Sequence, residues 1–284
     1  MDNFFSGSED LFQVSIRTIE DERKCLNDIA PYFKAKWYHD VMLNHLAEYR
    51  KIDREAFDAL DTFFVSPDDF VVDVPEWMLD KAHGFIRNEQ YFAYAGRYIF
   101  PVKDVRGDTM GFVAYVYNET PKYLDSRTFG YRAKYSTMFG MEKLPEYYRS
   151  DKCLFVTEGI MDMAYLRLHG HNAVSLLTSK IGKYQSEILK RFKNKCIIIA
   201  DNDSVNEFHE ERAAGESFVQ QAFRIVPEAR VFQTVNQKDI NDVIRLGDDY
   251  EKRVLDDLNA MENLLCLPTE FRQRSRVKGY AKRY

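Results

Sequence analysis

The stretch Lys195-Cys196-Ile197-Ile198-Ile199-Ala200-Asp201-Asn202-Asp203 constrains this chain more than any other. Its run from Cys196 to Ile199 is apolar and mostly β-branched, as in strands covered on both faces of a parallel α/β sheet. The run stops at Asp201 and Asp203. In an extended backbone, side chains two residues apart project to the same side. Ligands of open α/β sheets collect at the carboxyl ends of the strands, so two carboxylates there face one spot and repel each other. The pattern fits either a solvated turn or an edge that holds a divalent cation. Hard oxygen donors favour Mg²⁺ or Mn²⁺ over zinc.

Strand and helix signals alternate around this run. Leu154–Thr157 reads as a strand entering Glu158-Gly159, followed by a helix over Ile160–Leu168 that Gly170 closes. A strand over Ala173–Leu177 and a helix over Tyr184–Phe192 lead to the central strand. A helix over Glu211–Arg224, a strand over Ala229–Val235 and the acidic cluster Lys238-Asp239-Ile240-Asn241-Asp242 follow it. Asp162 stands four residues after Glu158, over the same helical turn, so these two acids converge. The separations between Glu158, Asp201 and Asp239 each leave room for a right-handed crossover, which places the acids at three strand ends of one sheet.

The amino-terminal part reads differently. From Thr18 to Ser66 the pattern is helical, with Tyr38, Met42, Leu46 and Tyr49 on one face and Trp37 and Val41 beside them. A short helix is expected over Glu76–Ile86. From Tyr91 the period changes, and Tyr98–Val102, a turn at Asp104–Asp108 and Met110–Tyr117 predict a β-hairpin. Beyond it Arg127, Arg132, Lys134, Lys143 and Arg149 alternate with Phe129, Tyr131, Tyr135, Phe139, Tyr147 and Tyr148. Such interleaving suits single-stranded nucleic acid, and it equally suits a half-buried β region with snorkelling cations. The expected fold class is α/β, a central parallel sheet flanked by helices and preceded by a mixed α+β subdomain. The expected divisions are 1–90, 91–150, 151–247 and 248–284.

Charge narrows the function classes. The net charge is -5, and the segment 267–284 holds Arg272, Arg274, Arg276, Lys278, Lys282 and Arg283 against Glu270 alone, leaving the rest near -10. No global basic field exists, so any nucleic-acid contact is local. Cys25, Cys153, Cys196 and Cys266 are scattered singly, which matches neither a zinc ribbon nor a disulfide framework and points to a reducing compartment, the cytoplasm. No apolar run reaches the length of a membrane span. An amphipathic helix with Tyr250, Val254, Leu258, Met261 and Leu265 on one face is expected to dock on the sheet domain before the basic tail.

Glu158-Gly159, Asp201-x-Asp203 and Lys238-Asp239-x-Asn241-Asp242, each after a strand, resemble the Toprim domain of primases, topoisomerases and some nucleases. Upstream stand Phe100-Pro101-Val102, Arg106-Gly107, Gly111-Phe112, Pro121-Lys122-Tyr123-Leu124-Asp125-Ser126, and Lys134 through Phe139-Gly140. In that order and spacing they are similar to the RNA polymerase core of DnaG-type primases. The likeness covers about Tyr91 to Leu246, with a fainter echo at Tyr49–Ser66 and in the basic tail, which is similar to primases of tailed phages.

The resemblance implies metal-dependent nucleotidyl transfer on single-stranded DNA from ribonucleoside triphosphates. It implies Glu158, Asp201 and Asp203 as ligands of Mg²⁺ or Mn²⁺, with Asp162 and Asp239 in support. Arg97, Lys122 and Lys134 would face phosphates, with Asn241 and Asp242 ranking lower, and Arg272, Arg274 and Arg276 would hold DNA or a helicase. The family's zinc ribbon is unmatched, so no zinc is expected. Its Gly-Thr after the second Toprim strand is here Leu177-Thr178. No Gly-x-x-x-x-Gly-Lys segment is present, so unwinding is expected from a partner helicase. A Toprim nuclease and a non-catalytic replisome adaptor are the alternatives.

Overall fold

The structure, a computed structural model, describes residues 27–69, 92, 94–125, 137–178, 180–192, 194–202, 212–234 and 237–266. The chain divides into two compact units, passing between them after Leu43, Leu60 and Gly130. The helix expected over Glu76–Ile86 lies outside the described residues.

The first unit is built on an antiparallel sheet in the order β1 (Phe63–Val65), β2 (Arg97–Lys103), β3 (Thr109–Tyr115), β4 (Tyr123–Asp125). The expected hairpin is β2–β3, with Tyr98 opposite Tyr115 and Val102 opposite Gly111. Its turn is set by Asp104, whose carboxylate accepts the N–H groups of Arg106 at 2.8 Å and Asp108 at 3.1 Å. Helical residues 27–34 bury Ile29 and Phe33 against Phe63, Val65, Phe92, Ile99 and Phe112. Phe33 and Phe63 stack at 5.4 Å between centroids.

One continuous helix to Ser66 is not what forms. The helical residues 27–34, α1 (His39–Arg50) and α2 (Arg54–Ala59) are separate pieces, and Phe63-Phe64-Val65 is a strand paired with Arg97–Ile99. That bulky run satisfies its backbone on β2, an option a local helical period does not reveal. Leu43 and Leu46 form the buried stripe of α1, whereas Trp37 is 87% exposed and Val41 61% exposed, so neither joins the core as expected.

The second unit holds a parallel sheet in the order β6 (Asn172–Ser175), β5 (Leu154–Thr157), β7 (Cys196–Ala200), β8 (Arg230–Gln233). Every residue of β5, β6 and β7 is buried, as the apolar run of β7 requires, and the polar Asn172 and Ser175 at the ends of β6 are buried with them. Burial pushes the Cys196 thiol up to about 12. The connections are α4 (Ile160–Leu168), α5 (Lys183–Arg191) and α6 (Arg212–Ile225), after the short α3 (Leu144–Arg149). β6 ends before Leu177, which adopts φ +61, a left-handed turn at the position where the sequence expectation extended the strand. One core cluster joins Met138, Leu144 and Tyr147 to Val156, Ile198, Leu189, Phe192 and Phe218.

After β8 come α7 (Ile240–Ile244) and α8 (Asp248–Cys266). The latter docks on the sheet domain as expected, burying Val254, Leu258 and Leu265, while Tyr250 at its solvent-facing start is 43% exposed. Two glutamates fasten it. Glu262 accepts the Cys153 N–H at 2.9 Å and meets His171 Nδ1 at 2.9 Å, and Glu251 accepts the Tyr165 hydroxyl at 3.1 Å. Among the described residues no helix is long and apolar enough to cross a membrane.

Candidate active site

The carboxyl edge of the parallel sheet gathers the acids. Glu158 directly follows β5, and its carbonyl accepts the Ser175 hydroxyl at 2.8 Å, which ties the ends of β5 and β6 together. The Thr157 hydroxyl donates to the Gly159 carbonyl at 2.7 Å, shaping the turn into α4. Asp162 then stands in the first turn of α4, 4% exposed, and its Oδ1 accepts the Asn241 N–H at 3.2 Å.

Asp201 directly follows β7, which lies between β5 and β8. Gln233 at the end of β8 donates its amide to the Asp201 carbonyl at 2.9 Å. The neighbouring Asn202 donates its N–H to the Lys238 carbonyl at 2.6 Å and its side-chain amide to the Thr234 carbonyl at 2.8 Å. These bonds hold the β7 and β8 exits side by side and bring Asp239 to the edge. Asp239 is the amino-terminal cap of α7, accepting the Asp242 N–H at 2.7 Å.

The acids interact. Burial, and after it the charges of Asp239 and Asp201, push the Asp162 carboxyl well above the usual range, opposed by the Asn241 N–H and Arg50. Burial and then Asp242 push Asp239 up, opposed by the Asp242 N–H, Arg50 and Lys238. Sheltered carboxylates that repel one another are a donor set suited to a hard divalent cation, whose charge offsets both burial and repulsion. Among the described residues no group of three or more His, Cys, Asp or Glu stands in a ligating arrangement. Asp203, expected as a ligand beside Glu158 and Asp201, lies outside the described residues.

Arg50 is the residue sequence reasoning missed. Its Nη1 donates to Asn241 Oδ1 at 2.9 Å, and the Asn241 amide donates back to the Arg50 carbonyl at 2.8 Å, so the end of α1 is clamped to α7. Asn241 is 1% exposed. Its side chain grips Arg50 instead of pointing outward to a nucleotide.

Arg97 also differs from expectation. It begins β2 and is 7% exposed. Its guanidinium donates to the carbonyls of Pro121 at 3.0 Å and Lys122 at 3.3 Å and pairs with Glu119 at 3.5 Å. Its guanidinium is thus engaged with the loop and fixes the Lys122 turn. Lys122 itself is exposed. Lys134, Arg272, Arg274 and Arg276 lie outside the described residues.

Three comparisons bear on this arrangement. A family model described as Toprim-like matches residues 155–244, the segment from β5 to α7. The DNA primase of Clostridium acetobutylicum is 29% identical over 208 residues, covering 61% of this chain and 35% of that protein. The DNA primase of Salmonella typhimurium is 32% identical over 131 residues, 44% of this chain and 22% of that protein. The chain thus spans about a third or less of the length of these curated relatives.

Among solved structures, a DnaG catalytic core aligns with a TM-score of 0.63 at 22% identity, covering 83% of this chain and 79% of that one. A DnaG primase catalytic domain bound to single-stranded DNA aligns with a TM-score of 0.65 at 20% identity, covering 85% and 82%. Residues 155–244 form a Toprim-like domain, and the chain has the fold of the DnaG-type primase catalytic core.

Proposed function

We propose that this chain is the polymerase core of a DNA primase, a DNA-directed RNA polymerase that makes short RNA primers on single-stranded DNA. The observation that carries the reading is the placement of Asp162, Asp201 and Asp239 at one sheet edge, where the charges of Asp239 and Asp201 act on Asp162. Similarity to DNA primases supports it.

Glu158, Asp201 and Asp203 would hold Mg²⁺ or Mn²⁺, with Asp162 and Asp239 behind them. When bound, the cation supplies activation of a 3′ hydroxyl and neutralisation of charge on departing pyrophosphate. The chain's own contribution is to set these acids in place beforehand. The Asn241 N–H holds Asp162, Arg50 clamps Asn241 and the Asp242 N–H holds Asp239, so little reorganisation remains for the reaction itself. Lys122, exposed on a turn that Arg97 stiffens, would contact phosphates of template or ribonucleotide, and Lys134 would do the same. Arg272, Arg274 and Arg276 would take DNA phosphates or an acidic helicase surface. The protein would act in the cytoplasm, with a replicative helicase to open the duplex.

The test is incubation with single-stranded DNA, Mg²⁺ or Mn²⁺ and labelled ribonucleoside triphosphates. Short RNA complementary to the template is the expected product. Template cleavage without RNA would mark a nuclease, and no turnover with intact DNA binding would mark an adaptor.

A further inference from the structure

The outer face of α5 carries a charge pattern that the proposed chemistry leaves unused. Between Lys180 and Lys195 the chain places six cations against Glu187 alone, within a protein of net charge -5. The helix buries Gln185 and Leu189. At 3.6 residues per turn, the side opposite them bears Lys183, Tyr184, Glu187, Lys190 and Arg191, all exposed. Glu187 closes on Lys190 at 2.7 Å, which removes one charge of each sign. Lys180, Lys183 and Arg191 form no ion pair with a described residue.

Tyr184 lies in this strip, and a second exposed tyrosine flanks the end of the helix. Tyr184 is 50% exposed, and Tyr148 at the end of α3 is 63% exposed, its ring set edge-on to Phe192 just beyond α5. Arg149, next to Tyr148, is exposed. The strip follows a helix of 9 residues, about 13 Å long. It starts at the carboxyl edge of the sheet, where β6 delivers the chain beside Glu158, and ends at the opposite edge before β7.

We propose that this strip binds single-stranded nucleic acid and leads the strand away from the acid edge. Phosphates would lie on Lys180, Lys183, Arg191 and Arg149, and bases would stack on Tyr184 and Tyr148. Exposed cations interleaved with open tyrosine rings fit a polyanion that also presents flat bases, whereas an acidic peptide would use the cations and leave the rings idle. The direction of the strand rests on the function proposed above; binding by the strip does not.

The experiment is fluorescence anisotropy with a labelled oligothymidylate of about 20 nucleotides over a range of salt. For K180Q/K183Q/R191Q, the slope of log affinity against log salt should shrink by about two, since each lost phosphate contact on a single strand removes about 0.7. For Y148A/Y184A, affinity should fall about thirtyfold or more with the slope unchanged. An unchanged slope in the first variant, or an unchanged affinity in the second, overturns the proposal. So does polyglutamate binding as tight as the oligonucleotide's. Primer synthesis is scored separately. A wild type that binds through the strip but makes no RNA defeats the primase reading and leaves the strip standing, whereas normal synthesis with unaffected binding in both variants defeats the strip alone.

Discussion

Gly140→Ala is expected to be costly out of proportion to one methyl group. Gly140 has φ +87, and a Cβ built there would stand 2.2 Å from Arg167 Nη2 and 2.9 Å from its Cζ. The left-handed backbone alone costs an alanine about 1–2 kcal/mol. Arg167 must also move, and it is fully engaged. It donates to the Gly140 carbonyl at 2.9 Å and the Ala173 carbonyl at 2.9 Å, and it pairs with Glu142 at 3.2 Å. Hydrogen bonds from a charged group contribute about 1.5–3 kcal/mol each. Losing one of them brings the expected total to about 2.5–5 kcal/mol. Urea unfolding measures it, and a double-mutant cycle separates the two parts. In an Arg167→Ala background the same glycine change should cost only the backbone share of about 1–2 kcal/mol. A total below about 1 kcal/mol, or an equal cost in both backgrounds, would refute the clasp.

Other expectations follow from single residues. Leu177 sits at φ +61, so Leu177→Val should destabilise by about 1 kcal/mol or more in urea unfolding and Leu177→Gly should not. Asp162 holds its proton more tightly folded than unfolded, so the metal-free protein should lose stability as pH rises from the unfolded carboxylate range near 4 through the higher folded value. Asp162→Asn should flatten that slope and raise the urea midpoint at neutral pH in EDTA; an unchanged pH profile would count against a repelling, buried acid. Lys122→Ala, at an exposed position, should leave the fold intact, weaken template or nucleotide binding, and reduce the salt slope by about 0.7.

The sequence revealed those parts of the fold whose signals are local. The run Cys196–Ala200 is apolar because both sheet faces are covered, and it stops at Asp201 because the strand stops there, so strand, edge and acid were read together. The positions of Glu158, just after β5, and of Asp162, in the first turn of α4, were legible for the same reason. Long-range pairings were not. The Arg50–Asn241 clamp joins residues 191 positions apart, and nothing around Arg50 separates it from any arginine at a helix end. A helical stripe tells which residues share a face but not whether a neighbour covers it, which is why Trp37, Val41 and Tyr250 were placed in a core they do not join. Arg97 was read by its charge, whereas its burial under the Lys122 turn decides what it does.

The most direct test of the acid edge as the centre of nucleotidyl transfer is RNA yield from Asp201→Asn against wild type across a Mg²⁺ titration. Asp201 follows β7 at the sheet edge, and its charge acts on Asp162. An amide there is a weak ligand, so yield at moderate Mg²⁺ should fall by at least about a hundredfold, because removing even an outer-shell partner of a metal site costs 10–100-fold. The urea midpoint should stay at or above that of wild type. RNA yield from Asp201→Asn close to that of wild type at the same Mg²⁺ concentration would contradict the account.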